Sequence, residues 1–125
     1  MIYGIGVDVV EVKRIETLFR RFGERFSRRI LSGLEWSEFD RGANPERYLA
    51  KRFAAKEAFS KALGTGIRHP VGFSAISIVK DELGKPDFLF HGELLAYLAE
   101  RGIAHHHLSI SDEESIACAF VVLEK

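Results

Sequence analysis

The sequence predicts an α+β fold, a small antiparallel sheet packed with helices, and three observations carry that expectation. The chain has 125 residues of which 46% are apolar and 29% charged, ordinary composition for one core, since domains commonly run to roughly 100–150 residues. Residues 1–125 therefore read as a single domain. A long helix-forming window lies mid-chain between Asn44-Pro45 and Gly64. Closely spaced strand-like runs follow it, which suggests a small antiparallel arrangement.

Taken in order, Ile2 to Val10 reads as a strand, rich in Ile, Tyr and Val with Gly4 and Gly6 inside it. A helical stretch follows, punctuated by Gly23 and Gly33. Asn44-Pro45 pairs an N-cap residue with proline at the first helical position, and Gly64 is a stop, so Pro45 to Leu63 is the longest helix. Val71 to Lys80 reads as a strand, Asp81 to Pro86 as turn chemistry, and Asp87 to His91 as a short strand. Glu93 to Arg101 is a helix stopped by Gly102. His105 to Ser111 and Ser115 to Leu123 are strands joined by the acidic turn Asp112-Glu113-Glu114.

Composition excludes several classes. The longest apolar run, Ile116 to Leu123, is eight residues, whereas a membrane span needs about 20. No basic segment leads into an apolar one at the start, so no secretory signal is expected and the cytoplasm is the expected location. The lone Cys118 reads as a small buried hydrophobe. Lys+Arg and Asp+Glu both number 18, but Lys13 to Arg29 holds seven bases against two acids. A basic patch on a neutral chain suggests a local anionic partner, or a solvated helix face, more than bulk nucleic-acid binding.

Four features could carry chemistry. Asp8 shares a strand face with Gly4 and Gly6. It could start a capping box with Glu11, or serve as a metal ligand that the glycines leave approachable. Glu57 lies mid-helix among small and apolar neighbours, one turn before Lys61 and just ahead of Gly64-Thr65-Gly66. An i,i+4 ion pair explains Glu57 and Lys61 cheaply. Alternatively, Asp8 and Glu57 supply the one or two carboxylates that Mg²⁺ favours beside substrate phosphates. In His105-His106-His107-Leu108-Ser109-Ile110-Ser111, strand alternation puts His107, Ser109 and Ser111 on one polar face, with no zinc-ligand spacing. Arg14, Leu18, Arg21 and Arg25 fall within roughly 60° of one another if the helix continues past Gly23. Val12, Ile15, Phe19, Phe22 and Phe26 form the separate face expected to bury. An arginine stripe with one leucine suits docking to an acidic amphipathic helix.

Ile5-Gly6-Val7-Asp8-Val9-Val10-Glu11, the run Arg52-Phe53-Ala54-Ala55-Lys56-Glu57-Ala58-Phe59-Ser60-Lys61-Ala62-Leu63-Gly64-Thr65-Gly66, Gly84-Lys85-Pro86 and the late His107-x-Ser-x-Ser strand together resemble one family. It is that of the short bacterial 4′-phosphopantetheinyl transferases, the holo-[acyl-carrier-protein] synthases. The resemblance covers essentially the whole chain, and its middle motif is highly specific. Asp112 is a departure, standing where many members carry His.

The resemblance implies a homotrimer of single units with active sites shared between subunits, Mg²⁺ and coenzyme A as requirements, and an acyl carrier protein as acceptor. A carrier-protein serine would attack the coenzyme A phosphorus that bears the pantetheine arm, releasing adenosine 3′,5′-bisphosphate. Asp8 and Glu57 would hold the metal; Glu57, directly or through a metal-bound water, would be the base; Lys61 would stabilise the leaving phosphate. Arg52 and His107 would meet the nucleotide 3′-phosphate. Gly64-Thr65-Gly66 and Gly84-Lys85-Pro86 would shape the coenzyme cleft, and Arg14, Leu18, Arg21 and Arg25 would receive the carrier protein. Two other classes remain: a catalytically silent binding module, which would not need Asp8 and Glu57 together, and a Mg²⁺-dependent coenzyme A hydrolase, which would act without carrier protein. Nucleic acid and membrane are not expected partners.

Overall fold

A computed structural model describes residues 1–39 and 43–125. Strand β1 (Ile2–Glu11) leads into three helices, α1 (Val12–Phe22), α2 (Glu24–Ile30) and α3 (Gly33–Glu38), then the long α4 (Pro45–Leu63). A 3-10 turn (Phe73–Ala75) precedes β2 (Ile76–Lys80) and β3 (Pro86–Phe90), and α5 (Glu93–Glu100) precedes β4 (His105–Asp112) and β5 (Ile116–Glu124). The architecture is α+β, with two small antiparallel sheets: β1-β5-β4 and β2-β3.

Helix α4 is the centre of the molecule. The Asn44 side chain accepts from the Arg47 amide, Pro45 opens the helix, and Gly64 at φ 86° closes it, as the sequence predicts. Leu49, Ala50, Ala54, Ala55, Ala58, Phe59, Ala62 and Leu63 are all buried, because α4 is covered on several sides. Phe59 packs with Phe88 and Phe90 of the small sheet at ring separations of 5.3 and 4.8 Å. On another side α4 lies directly against the β1 backbone. A Cβ on Gly4 would sit 2.0 Å from the Ala62 carbonyl oxygen, and one on Gly6 would sit 1.9 Å from that of Ala58. Glycine at these two positions is what permits the approach, and it brings Asp8, next on the same face, to the level of Glu57 and Lys61.

Several expectations are corrected. Gly23, at φ 57° and ψ −133°, ends α1, so the arginine stripe does not continue on one helix and Arg25 stands on α2. Phe22, expected on the buried face, is 43% exposed. Asp8 does not open a capping box: it remains in β1 opposite Ala119, and α1 starts at Val12 after an N-cap Glu11 without a side-chain cap bond. The strand expected from Val71 begins only at Ile76, because residues 73–75 curl into the 3-10 turn. Cys118 is half-buried on the outer sheet face opposite Val9.

That outer face is apolar. Ile5, Val7, Val9 and Phe120 project from β1 and β5 away from α4, all exposed. Among the described residues no helix is long and apolar enough to cross a membrane.

Candidate active site

Asp8, Glu57, Lys61 and Arg14 converge where β1, α4 and α1 meet. Lys61 Nζ donates to Asp8 Oδ1 at 3.0 Å and to the Val7 carbonyl at 3.1 Å, so its partner is Asp8 rather than the Glu57 expected from i,i+4 spacing. Burial pushes the Glu57 carboxyl above its ordinary range, the Asp8 charge pushes it further, and the Lys61 and Arg14 charges pull it back. A divalent cation would relieve the cost that burial and the Asp8 charge place on the Glu57 carboxylate. Among the described residues no cluster of three His, Cys, Asp or Glu is formed. A metal here would complete its shell from water and substrate oxygens, which is the habit of Mg²⁺. The donor set fits that ion.

Glu57 also borders a cleft of about 460 Å³. Leu18 and Phe22 of α1, Arg25, Phe26, Arg29 and Ile30 of α2, Phe53 of α4 and Phe73 form its walls. The Phe53 and Phe73 rings stack at 5.7 Å, and the Arg14 guanidinium lies 6.0 Å from the Phe53 ring. The break at Gly23 thus does not scatter the basic residues: α2 folds beside α1, and Leu18 and Arg25 face one cavity. Arg21 lies over the Phe22 ring at 5.1 Å, exposed at the margin.

The remaining residues singled out in the sequence lie elsewhere. Arg52 is five positions before Glu57, about 140° around the helix. Its guanidinium sits 3.5 Å from the Tyr48 ring centroid, and its Nε 3.5 Å from Glu35 Oε2. His107 is on the outer face of β4, bonded to Glu124 at 2.6 Å, with the sheet between it and α4. In Gly64-Thr65-Gly66 all three amides turn back onto the Ser60 carbonyl, at 3.0 to 3.3 Å, so the loop offers shape rather than free donors. Gly84-Lys85-Pro86 forms the β2–β3 turn, where Asp81 Oδ1 accepts from the Leu83 and Lys85 amides. One chain therefore assembles Asp8, Glu57, Lys61, Arg14, Leu18 and Arg25, and leaves Arg52 and His107 apart from them.

Comparison with known proteins is decisive for the family. Residues 4–121 match the model described as the 4′-phosphopantetheinyl transferase superfamily. This chain belongs to that superfamily. A holo-[acyl-carrier-protein] synthase of Nitrosomonas eutropha is 60% identical over 125 residues, covering 100% of both chains. Among solved structures, the Neisseria meningitidis holo-[acyl-carrier-protein] synthase matches with TM-score 0.97 at 54% identity, covering 100% of each chain. The Helicobacter pylori enzyme in complex with coenzyme A matches with TM-score 0.81 at 35% identity, covering 96% of this chain and 99% of that one. The chain is thus an enzyme of the holo-[acyl-carrier-protein] synthase family.

This transferase also contains polar networks that the sequence pattern does not single out. Lys56 and Glu35 are fully buried, joined by a hydrogen bond of 2.5 Å. Signals for them exist: Lys56 falls at i±7 from Leu49 and Leu63 on a packed stripe, and Ser32-x-x-Glu35 is a capping box, here formed in full. Arg47 donates to Asp112 Oδ2 at 2.9 Å and to the carbonyls of Glu113 and Glu114, fastening the β4–β5 turn to the first turn of α4. Burial pushes the Asp112 carboxyl up, but Arg47 and Lys51 outweigh it and hold it below the ordinary range.

Proposed function

We propose that this enzyme transfers the 4′-phosphopantetheine arm of coenzyme A to a serine of an apo acyl carrier protein, with Mg²⁺, releasing adenosine 3′,5′-bisphosphate. The setting is fatty acid biosynthesis in the cytoplasm, and the working form is a homotrimer of single units spanning residues 1–125. The observation that carries the reading is the position of Glu57, which borders both the Asp8–Lys61 cluster and the cleft walled by Leu18 and Arg25. A group-transfer enzyme with a macromolecular acceptor needs that adjacency.

In this mechanism the carrier-protein serine oxygen forms a bond to the phosphorus bearing the pantetheine arm. The bond from that phosphorus to the bridging oxygen of the adenylate breaks. Glu57, kept poised by burial and by Asp8, accepts the serine proton. Lys61, one turn on and fixed by Asp8 and the Val7 carbonyl, stabilises the leaving phosphate. Mg²⁺ held by Asp8 and Glu57 would supply neutralisation of charge on the pyrophosphate oxygens. Arg14, Arg21 and Arg25 steer the acidic helix of the carrier protein while Leu18 and the aromatic wall take an apolar anchor. Arg52, His107, Gly64-Thr65-Gly66 and Gly84-Lys85-Pro86 are assigned to the coenzyme. Since Arg52 and His107 lie apart from Glu57 within a chain, the assignment requires a site shared between neighbouring subunits. The exposed apolar sheet face around Phe120 supports such an assembly.

Intact-mass spectrometry tests the reading. An apo acyl carrier protein incubated with the enzyme, coenzyme A and Mg²⁺ is expected to gain one phosphopantetheine mass, and EDTA is expected to abolish the gain. An unmodified carrier would sink the transferase reading; adenosine bisphosphate released without any carrier would identify a hydrolase instead.

A further inference from the structure

Lys56 has no exposed surface, yet its ammonium is fully partnered. Nζ donates to the Ile30 carbonyl at 2.7 Å, to Glu35 Oε1 at 2.5 Å and to the Phe73 carbonyl at 3.1 Å, which uses all three N–H bonds. Glu35 is equally saturated: Oε1 also accepts from the Ser32 amide at 3.0 Å, and Oε2 accepts from the Ile78 amide at 2.8 Å. These contacts join the end of α2, the start of α3, α4, the 3-10 turn and β2. Ile30 and Phe73 are also walls of the cleft at Glu57, and Lys56 is the residue beside Glu57 on the same helix.

We propose that Lys56, with Glu35, is a positioning device that fixes the Ile30 and Phe73 walls of the cleft relative to Glu57, and so sets where the acceptor protein's apolar anchor seats. The proposal rests on the transferase function proposed for the chain and assigns this pair a place in acceptor recognition. Each of the three Nζ bonds runs to a different element, and two of the three acceptors are backbone carbonyls of cleft-wall residues. An aliphatic side chain of equal length would fill the volume but hold neither wall.

Lys56→Met alone leaves the Glu35 carboxylate buried beside an apolar group and risks unfolding, so the deciding variant is Lys56→Met/Glu35→Gln. It removes the charges of the pair, and the single glutamine amide oxygen keeps the Ser32 capping-box bond at the expense of the acceptor that Glu35 Oε2 offers the Ile78 amide. Steady-state transfer is measured with carrier protein and coenzyme A varied in turn, alongside circular dichroism. A folded double variant is expected to show a carrier-protein KM raised about tenfold with kcat nearly unchanged, and a smaller change in the coenzyme A KM, since Glu35 also pairs with Arg52 at 3.5 Å. A folded variant with carrier-protein KM unchanged would overturn the proposal, as would parallel losses in kcat and both KM values. Failure of the double variant to fold would overturn it too, by making the pair a requirement of the fold. Failure of the unsubstituted enzyme to modify the carrier would strike the transferase function itself, a separate result.

Discussion

At the scale of single residues, the proposed chemistry turns on the balance of charge around Glu57. Burial and Asp8 disfavour its ionisation, whereas Lys61 and Arg14 favour it. If Glu57 acts as a base it works as the carboxylate, so turnover falls on the acid side as that group is protonated. Removing Arg14 removes one charge that holds the Glu57 pKa down. Arg14→Ala should therefore move the acid limb of the kcat–pH profile to higher pH, and raise the carrier-protein KM about three- to tenfold through lost steering. Arg20→Ala is the control, since Arg20 is 78% exposed and paired with Glu16; its profile should match the parent. An unmoved limb in Arg14→Ala would show that the titrating group is not Glu57. Asp8, Glu57 and Lys61 are legible as candidates because charged residues stand out in small or apolar stripes. Lys56 and Glu35 stand in such surroundings too, but composition does not reveal that the two meet. Their pairing depends on α3 folding back over α4, a contact between residues 21 positions apart in sequence.

At the scale of elements, the site depends on how closely β1 lies on α4. Gly6→Ala would put a methyl group 1.9 Å from the Ala58 carbonyl oxygen, a backbone atom that yields only if the whole helix moves. The expected cost is at least about 2 kcal/mol, toward the upper end for overpacking, seen as a lower chemical-denaturation midpoint. Displacement of Asp8 from Lys61 should lower kcat in the fraction that still folds. Gly33→Ala is the matched control: nothing lies within 4 Å of its Cβ position, and alanine suits a helix better than glycine. Equal midpoints for the two variants would mean that β1 and α4 are not locked together. Elements of strong local signal are legible to within a residue or two, α4 with its Asn44-Pro45 start and Gly64 stop most clearly. Gly23 is legible as punctuation, but not whether it ends the helix, because the apolar period of α1 and α2 runs on through it. The register of β1 against β5 is not legible either, since it is set by pairings more than 100 residues apart, such as Asp8 with Ala119.

At the scale of the whole molecule, the three-stranded sheet has one face on α4 and the other apolar and exposed. Phe120 sits near the middle of that outer face, on the central strand, between Val7 of β1 and Ser109 of β4. A sheet face of Ile5, Val7, Val9 and Phe120 is costly to leave in water, and covering it with further copies of the chain removes that cost. The same packing would carry His107, on this face, toward a neighbouring chain. Phe120→Glu places a charge in the middle of the face without touching α4, so a folded monomer is expected. Light scattering after size exclusion should give the mass of one chain, where the proposed assembly predicts three for the parent, with circular dichroism unchanged. If the proposed trimer shares its site, transfer should fall with it: Asp8, Glu57 and Lys61 would remain intact while the coenzyme would lose His107 from the neighbouring chain. A monomeric variant with undiminished transfer would show that one chain holds a complete site, and His107 would then lose its assignment to the coenzyme. An active parent that is itself monomeric at assay concentration would remove that assignment without any substitution.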